Sequence, residues 1–338
     1  MNATELVLTP TRSNLATVLC LSILLCVATL RCAPTQAADV FRVTLLGTGD
    51  PIPRIDRFGP STLIEVGTQK LLFDAGRGVT QRLGQLHIPL RDIDMLFLTH
   101  FHSDHLVGLP DLWLTGWLPP PFGRRATPLR ITGPLGTDEL VTNLTAAFQP
   151  DIKIRIADEV LPPAGIEFFT REFSANGIVY SEHGVVVRAF AVDHGALIKP
   201  AYGYRIEYGG HSVVISGDTR FDENLIAESQ GADLLIHEVG AATHALLKYS
   251  EQFRRILDHH TTPEQAGVVF ARVKPKLAVY THFVLLRGPN IPEPTLEEIV
   301  NRTRVNYDGP LQLGEDLMSF EVGDTITIHQ YRDTGPNR

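Results

Sequence analysis

Cysteine is scarce in this chain and missing altogether beyond residue 32. The three that occur, Cys20, Cys26 and Cys32, all sit in the first tenth of the sequence. Everything downstream can form no disulfide, offer no thiolate nucleophile and build no Cys-based zinc site. Any metal must therefore be held by His, Asp and Glu. Basic charge is also in deficit, with 30 Lys and Arg against 38 Asp and Glu and a net charge of −8. The only doubled basic pairs are Arg124-Arg125 and Arg254-Arg255. Such a balance argues against a polyanionic partner, so nucleic acid is not expected to be one. Internal repeats and low-complexity linkers are absent too.

One apolar run stands apart from the rest. Leu15 to Leu30 is almost purely apolar, preceded by Arg12 and followed by Pro34-Thr35-Gln36-Ala37-Ala38. It is short for a membrane span of about 20 residues and suits the core of a signal peptide. Thr35 and Ala37 supply the small residues a signal peptidase needs. Residues 1–37 are thus expected to be a cleaved leader and residues 38–338 one exported domain, periplasmic or secreted. Glu5 and Arg31 fit this less well, which leaves an uncleaved membrane anchor as the alternative. A lipoprotein at Cys32 is weaker still, because Arg31 occupies a position that wants a small residue. Removing Arg12, Arg31 and Glu5 leaves the mature chain one unit more acidic.

With 43% apolar residues in 338, the chain can bury a large core. Apolar strand-like runs alternate with helical stretches, the pattern of an α/β protein. Strands are expected at 40–46, 61–66, 70–73, 95–99 and 129–132, with helices at 78–86 and 137–148. A β-rich stretch should run from Lys153 to Asp193. A hairpin, 202–208 with 212–216, turns at Gly209-Gly210. Strands follow at 233–236 and 277–280, helices at 263–273 and 295–302, and closing strands near 317–322 and 325–329. Two halves, each strands then helices, suggest two packed sheets with helices outside.

Five of these apolar runs end in a metal-capable residue: His100, His194, Asp218, His237-Glu238 and His282. Ligands at strand ends are held rigidly yet point into a loop-lined cleft, where α/β proteins usually do chemistry. The densest signal is His100-Phe101-His102-Ser103-Asp104-His105. Four ligand-type side chains in six residues cannot share one face of a helix or strand, but a tight loop can converge them on one point. Imidazoles with a carboxylate suit zinc. Farther on, Thr261 or Thr262 caps a helix that has Pro263 at its first position and Glu264 or Gln265 closing a capping box. His260 is thereby placed just before a helix N-terminus, where a nearby carboxylate would favour its imidazolium.

The H-x-H-x-D-H segment resembles the signature of the metallo-β-lactamase superfamily, and other motifs follow in that family's order. These are L-L-G-T-G-D at 45–50, F-D-A-G at 73–76, D-H-G at 193–195, S-G-D-T at 216–219 and T-H-F at 281–283. The resemblance covers about residues 41–330. It implies an α/β fold, an αββα sandwich, with two metal ions. His100, His102 and His194 would hold one, Asp104, His105 and His282 the other, Asp218 would bridge them, and Asp74 would brace the loop. H-E-V-G at 237–240 with H-T-T-P-E-Q-A-G at 260–267 resembles the ribonuclease Z and arylsulfatase-like branch, in which Glu238 would pair with a catalytic His260.

The expected protein is an exported dinuclear zinc hydrolase, with Mn²⁺ or Fe²⁺ as substitutes, that cleaves a small-molecule sulfate or phosphate ester. Metal-activated hydroxide would attack, with Asp104 orienting it and His260 protonating the leaving oxygen. A ribonuclease Z-type tRNA 3′-processing endonuclease is the alternative, then a lactonase or β-lactamase-type acyl hydrolase. A non-catalytic metal-binding module ranks last, because the seven-ligand set is intact. The leader, if kept, would be the sole contact with a membrane, and a homodimer is left open. Trp113, Trp117 and Phe122 would form either an apolar substrate rim or, more simply, helix core. The leader reading predicts that the exported protein has neither free thiol nor disulfide, and intact mass with thiol titration checks this. An exported chain of full-length mass would establish the anchor alternative.

Overall fold

The computed structural model describes residues 40–121 and 123–332. The expected leader and Phe122 lie outside the described residues. In chain order the first half runs β1 (Phe41–Gly47), β2 (Ser61–Val66), β3 (Gln69–Phe73), α1 (Val79–Gln85), β4 (Met95–Phe97), α2 (Ser103–Leu106), α3 (Leu109–Trp117), β5 (Leu129–Pro134), α4 (Thr137–Ala147), α5 (Gln149–Asp158) and β6 (Phe168–Phe173). The second half runs β7 (Gly177–Glu182), β8 (Val185–Ala191), β9 (Tyr202–Tyr208), β10 (His211–Ile215), α6 (Glu223–Glu228), β11 (Leu234–Ala241), α7 (His244–Tyr249), α8 (Glu251–Leu257), α9 (Pro263–Val273), β12 (Leu277–Leu285), α10 (Leu296–Arg304) and β13 (Leu311–Leu313). Last come β14 (Ser319–Val322) and β15 (Ile326–His329).

These strands form two sheets. One has eight strands in the order β15-β14-β1-β2-β3-β4-β5-β6, the other seven in the order β13-β12-β11-β10-β9-β8-β7. The side chains explain why both sheets are covered on both faces. Along β1 to β4, Val43, Leu45, Ile64, Leu71, Phe73, Met95 and Phe97 point inward and pack against Val187, Tyr204, Val213, Ile236 and Val279 of the facing sheet. The alternate residues Leu46, Leu63, Leu72, Leu96 and Leu98 point the other way, onto α1, α3 and α4. The second sheet repeats this, with Val214, Leu235, Ala278 and Tyr280 turned toward α6, α9 and α10. A strand buried on both faces reads as a continuous apolar run, which is the pattern seen at Leu96-Phe97-Leu98 and Leu234-Leu235-Ile236. The architecture is the αββα sandwich expected.

Strands β10, β11 and β12 are mutually parallel, as are β3 to β6. Their C-terminal ends open on the loops that carry the metal-capable residues. The expected start of the β-rich stretch is wrong at residue 153. Residues 149–158 are α5, and strand begins only at Phe168. Ile152, Ile154 and Ile156 alternate with Lys153 and Arg155 like a strand, but Arg155 pairs with Asp151 and Glu159 at helical spacing, and only Ile152 is buried.

Trp113 and Trp117 are core residues and no substrate rim. Trp113 stacks on Phe168 with ring centroids 4.6 Å apart and donates to the Ile166 carbonyl, while Trp117 donates to that of Pro162. Trp113→Ala should therefore cost about 3–5 kcal/mol of stability with metal content unchanged. Denaturant unfolding with elemental analysis checks it, and a loss below 1 kcal/mol would contradict the packing described.

Candidate metal centre

His100, His194 and Asp218 follow strand ends, His282 sits at a bulge within β12, and His102, Asp104 and His105 come from the loop after β4 and from α2. Leu98 and Thr99 leave the end of β4, and the Tyr204 hydroxyl donates to the Leu98 carbonyl. Asp74, just past β3, has the left-handed φ of 59°, which a residue other than glycine adopts only at some cost. Its Oδ1 accepts from the Thr99 amide at 2.8 Å. Its Oδ2 takes the Thr99 hydroxyl and His105 Nδ1, both at 2.7 Å. His100 Nδ1 lies 2.9 Å from the Thr99 hydroxyl, and His194 Nδ1 lies 2.8 Å from the His259 carbonyl. In each ring this engages Nδ1 and leaves Nε2 facing the site, the usual arrangement behind a metal-ligating histidine. His282 arrives by a bulge. Thr281 pairs with Glu238 and Phe283 with Val239, so His282 is an extra residue in β12, at φ 42°. Bulges of this kind re-aim a side chain beside an active site.

The result is two adjoining groups. His100, His102, His194 and Asp218 form one, and Asp104, His105 and His282 the other, with the ligand atoms of each group within 4.8 Å of one another. Asp218 reaches both. Its Oδ2 is 3.8 Å from His100 Nε2, 3.6 Å from His194 Nε2 and 3.2 Å from His282 Nε2, and its Oδ1 is 3.4 Å from His105 Nε2. All seven residues expected as ligands are thus brought together.

Charge and spacing both suit cations here. His194 Nε2 lies 3.2 Å from His102 Nδ1, and His282 Nε2 lies 3.1 Å from His105 Nε2. Two nitrogens on one tetrahedral zinc stand roughly 3.3 Å apart. His100 Nε2 is buried with no hydrogen-bond partner. Burial holds His100 well below the usual imidazole range and His194 down at about 4, so both rings are neutral with free lone pairs. In the second group burial also opposes charge, but Asp218, Asp74 and Asp104 outweigh it and lift His105 to about 10. Buried carboxylates without a metal draw protons onto the rings beside them, and a pair of divalent ions answers the same demand. The cluster fits a dinuclear metal site.

His260 and Glu238 meet beside this cluster. His260 Nδ1 is 3.2 Å from Glu238 Oε2, and Glu238 Oε1 accepts the Thr261 amide at 2.8 Å. The His260 ring lies 5.2 Å from that of His194 and 5.9 Å from that of His282. Burial would lower its pKa, yet the Glu238 carboxylate raises it on balance. The capping box of Thr262 and Gln265 starts α9 directly after it. Gly240 leaves the room this needs, since a Cβ there would sit 2.6 Å from His260 Cβ.

The strand-end pattern misleads at one position and misses another. His237 does not enter the centre. Strand alternation turns it outward against Phe270, with ring centroids 5.7 Å apart. Asp50 was overlooked. It is 7% exposed beyond the end of β1, within electrostatic reach of His282 and Asp104, and burial raises its pKa. The same signal could have found it, because β1 too is an apolar run leading to a carboxylate.

Fold and site define a metal-dependent hydrolase acting on ester bonds. Residues 69–283 match the model of a β-lactamase superfamily domain. Ribonuclease Z of Mycolicibacterium gilvum is 36% identical over 285 residues, covering 84% of this chain and 96% of the relative. Among solved structures, the metallo-β-lactamase fold protein YhfI of Bacillus subtilis superposes with a TM-score of 0.64 at 19% identity, covering 84% of this chain and all of that one. The short form of human tRNase Z does so with a TM-score of 0.62 at 21% identity, covering 83% and 99%. The chain belongs to the metallo-β-lactamase superfamily, in its ribonuclease Z branch.

This corrects the expected partner. The small-molecule ester with nucleic acid set aside does not stand, because the relative at 36% identity is a ribonuclease, an enzyme of RNA by its name. The physical error was to read a local property from a global one. A net charge of −8 describes the whole chain, whereas binding of a phosphodiester depends on the field where it sits. The purified protein should carry about two equivalents of transition metal. Asp218→Ala should retain at most one, because Asp218 alone reaches both groups; two equivalents in the folded variant, by elemental analysis, would refute the bridging role.

Proposed function

We propose that this protein is a ribonuclease Z-type endonuclease that hydrolyses a phosphodiester bond in RNA. The observation that carries the reading is the His260–Glu238 couple set beside the seven-residue His/Asp cluster, in a chain that matches ribonuclease Z over almost the relative's full length. His100, His102 and His194 would hold one zinc ion, Asp104, His105 and His282 the other, and Asp218 would touch both. Their all-nitrogen-and-oxygen donor set, with no cysteine available, suits zinc. When bound, such a pair supplies Lewis acidity, making water nucleophilic near neutral pH and offsetting charge that gathers on the phosphate.

The chain's own groups do the rest. Asp104 has a carboxylate oxygen 3.3 Å from His282 Nε2 and accepts a hydrogen bond from the attacking water, fixing its direction. Glu238 favours the charged form of His260, from which the ring would donate a proton to the ribose oxygen that leaves. Glu238 also accepts the Thr261 amide, so one carboxylate holds both the His260 ring and the backbone that leads into α9. The leader reading would place this activity outside the cytoplasm, and that assignment is part of the proposal.

The test uses a tRNA precursor and bis-nitrophenyl phosphate side by side. General acid catalysis matters most for a poor leaving group such as a ribose alkoxide and least for a stabilised phenolate. His260→Ala should keep its metal while losing about 10²-fold or more on the precursor and much less on the nitrophenyl ester. Glu238→Gln should copy the pattern more weakly. Equal losses on both substrates would remove the general acid. Turnover of the nitrophenyl ester with no endonucleolytic cut in the precursor would remove RNA as substrate.

A further inference from the structure

Asp316 lies far from the metal cluster in sequence, in the loop between β13 and β14, and matches no motif noted above. Its side chain is 5% exposed. The carboxylate gathers both ends of the 48–58 loop. Oδ1 accepts from the Thr48 amide at 2.9 Å and the Thr48 hydroxyl at 2.8 Å, and Oδ2 accepts from the Phe58 amide at 2.7 Å. Arg82 on α1 donates to Oδ2 through Nε at 3.2 Å and Nη2 at 2.7 Å, which balances the charge. The same arginine lies over the Phe58 ring, 3.9 Å from its centroid.

Thr48 is the link onward. Its carbonyl accepts the Phe283 amide at 2.9 Å, and Phe283 directly follows the bulged His282. The Phe283 ring is pinned from the other side by Arg57, 4.2 Å from the centroid, and Arg57 Nη1 donates to the Thr48 hydroxyl at 2.6 Å and the Gly314 carbonyl at 2.8 Å. The bulge needs such support. It takes His282 out of the ladder with β11 at a left-handed φ, a conformation that persists only where surrounding structure imposes it.

We infer that Asp316 is a positioning residue for the second metal site, acting through Thr48 and the Phe283 amide to hold His282 aimed between Asp104 and His105. The inference rests on the dinuclear reading of the cluster. Among the described residues no comparable link runs from Asp316 to His100, His102 or His194, so its loss should fall on one site only.

The experiment is a zinc titration of the intact protein against a competing chelator, with near-UV circular dichroism as the check on folding. Asp316→Asn keeps the shape but presents an amide to donors that need a carboxylate. It should weaken the second equivalent of zinc by about 10-fold or more, the usual cost of losing a group behind a ligand, and leave the first unchanged. Arg82→Met removes the charged partner of Asp316 but spares the Thr48 and Phe58 links. It should lower the melting temperature while both equivalents stay tight. Asp316→Glu should recover part of the second affinity. A folded Asp316→Asn protein with wild-type affinity for both ions would overturn the inference. So would an Arg82→Met protein that loses the second equivalent equally, because general loosening would then suffice. If Asp316→Asn does not fold, Thr48→Val reads the same quantity, with a smaller loss of the second equivalent expected and no loss overturning the link. A wild-type protein that binds no zinc would instead remove the dinuclear reading itself.

Discussion

Three carboxylates, Asp74, Asp104 and Asp218, are buried side by side at the end of the two sheets, and that concentration of negative charge governs the centre. Burying an ionised carboxylate is costly unless opposite charge or donated hydrogen bonds compensate it. The protein surrounds them with six imidazoles, of which His105 is held in the charged form by its neighbours when no metal is present. Asp74 is fully engaged by Thr99 and His105, so it acts as a brace. Asp104 and Asp218 keep oxygens that face only ring nitrogens. A metal pair resolves this arrangement better than protons do, because each ion satisfies several donors at once.

The sandwich makes such a concentration tolerable. Strands covered on both faces cannot shift without exposing apolar surface, so their ends are stiff platforms for His100, Asp218 and His282. Two departures from regular geometry lie at this end of the sheets: Asp74 and His282 both have positive φ, the latter at the bulge in β12. Strain of this kind is retained where surrounding contacts over-determine it. The contacts are visible in each case, Thr99 and His105 for Asp74, the Thr48–Phe283 link for His282.

Each place where the sequence reading went astray has a physical cause. The isoleucines of residues 152–156 alternate as in a strand, yet the ion pairs of Arg155 and the burial of Ile152 alone make that stretch helix α5. The simpler reading of Trp113 as helix core holds, by contrast, since the ring stacks on Phe168 and donates to the Ile166 carbonyl. Overall charge weighed against RNA, although the sum over a chain says little about the potential at a cleft lined by a His/Asp cluster that fits two metal ions.

The sequence alone determined the kind of chemistry and most of its instruments. Ligand types are side-chain identities, and strand ends are marked by where an apolar run stops. So the H-x-H-x-D-H loop, His194, Asp218, His282 and the His260–Glu238 couple were legible as residues, as was the capping box that starts α9. Tertiary structure alone decided which strand-end residues face the cleft. His237 and Glu238 are adjacent, but the period-two alternation of β11 sends one to the helices and the other to the site. It also decided what stands behind the ligands. Asp316 carries no local signal, because its role depends on contacts across more than 200 residues of chain, and such contacts are set by packing of the two sheets.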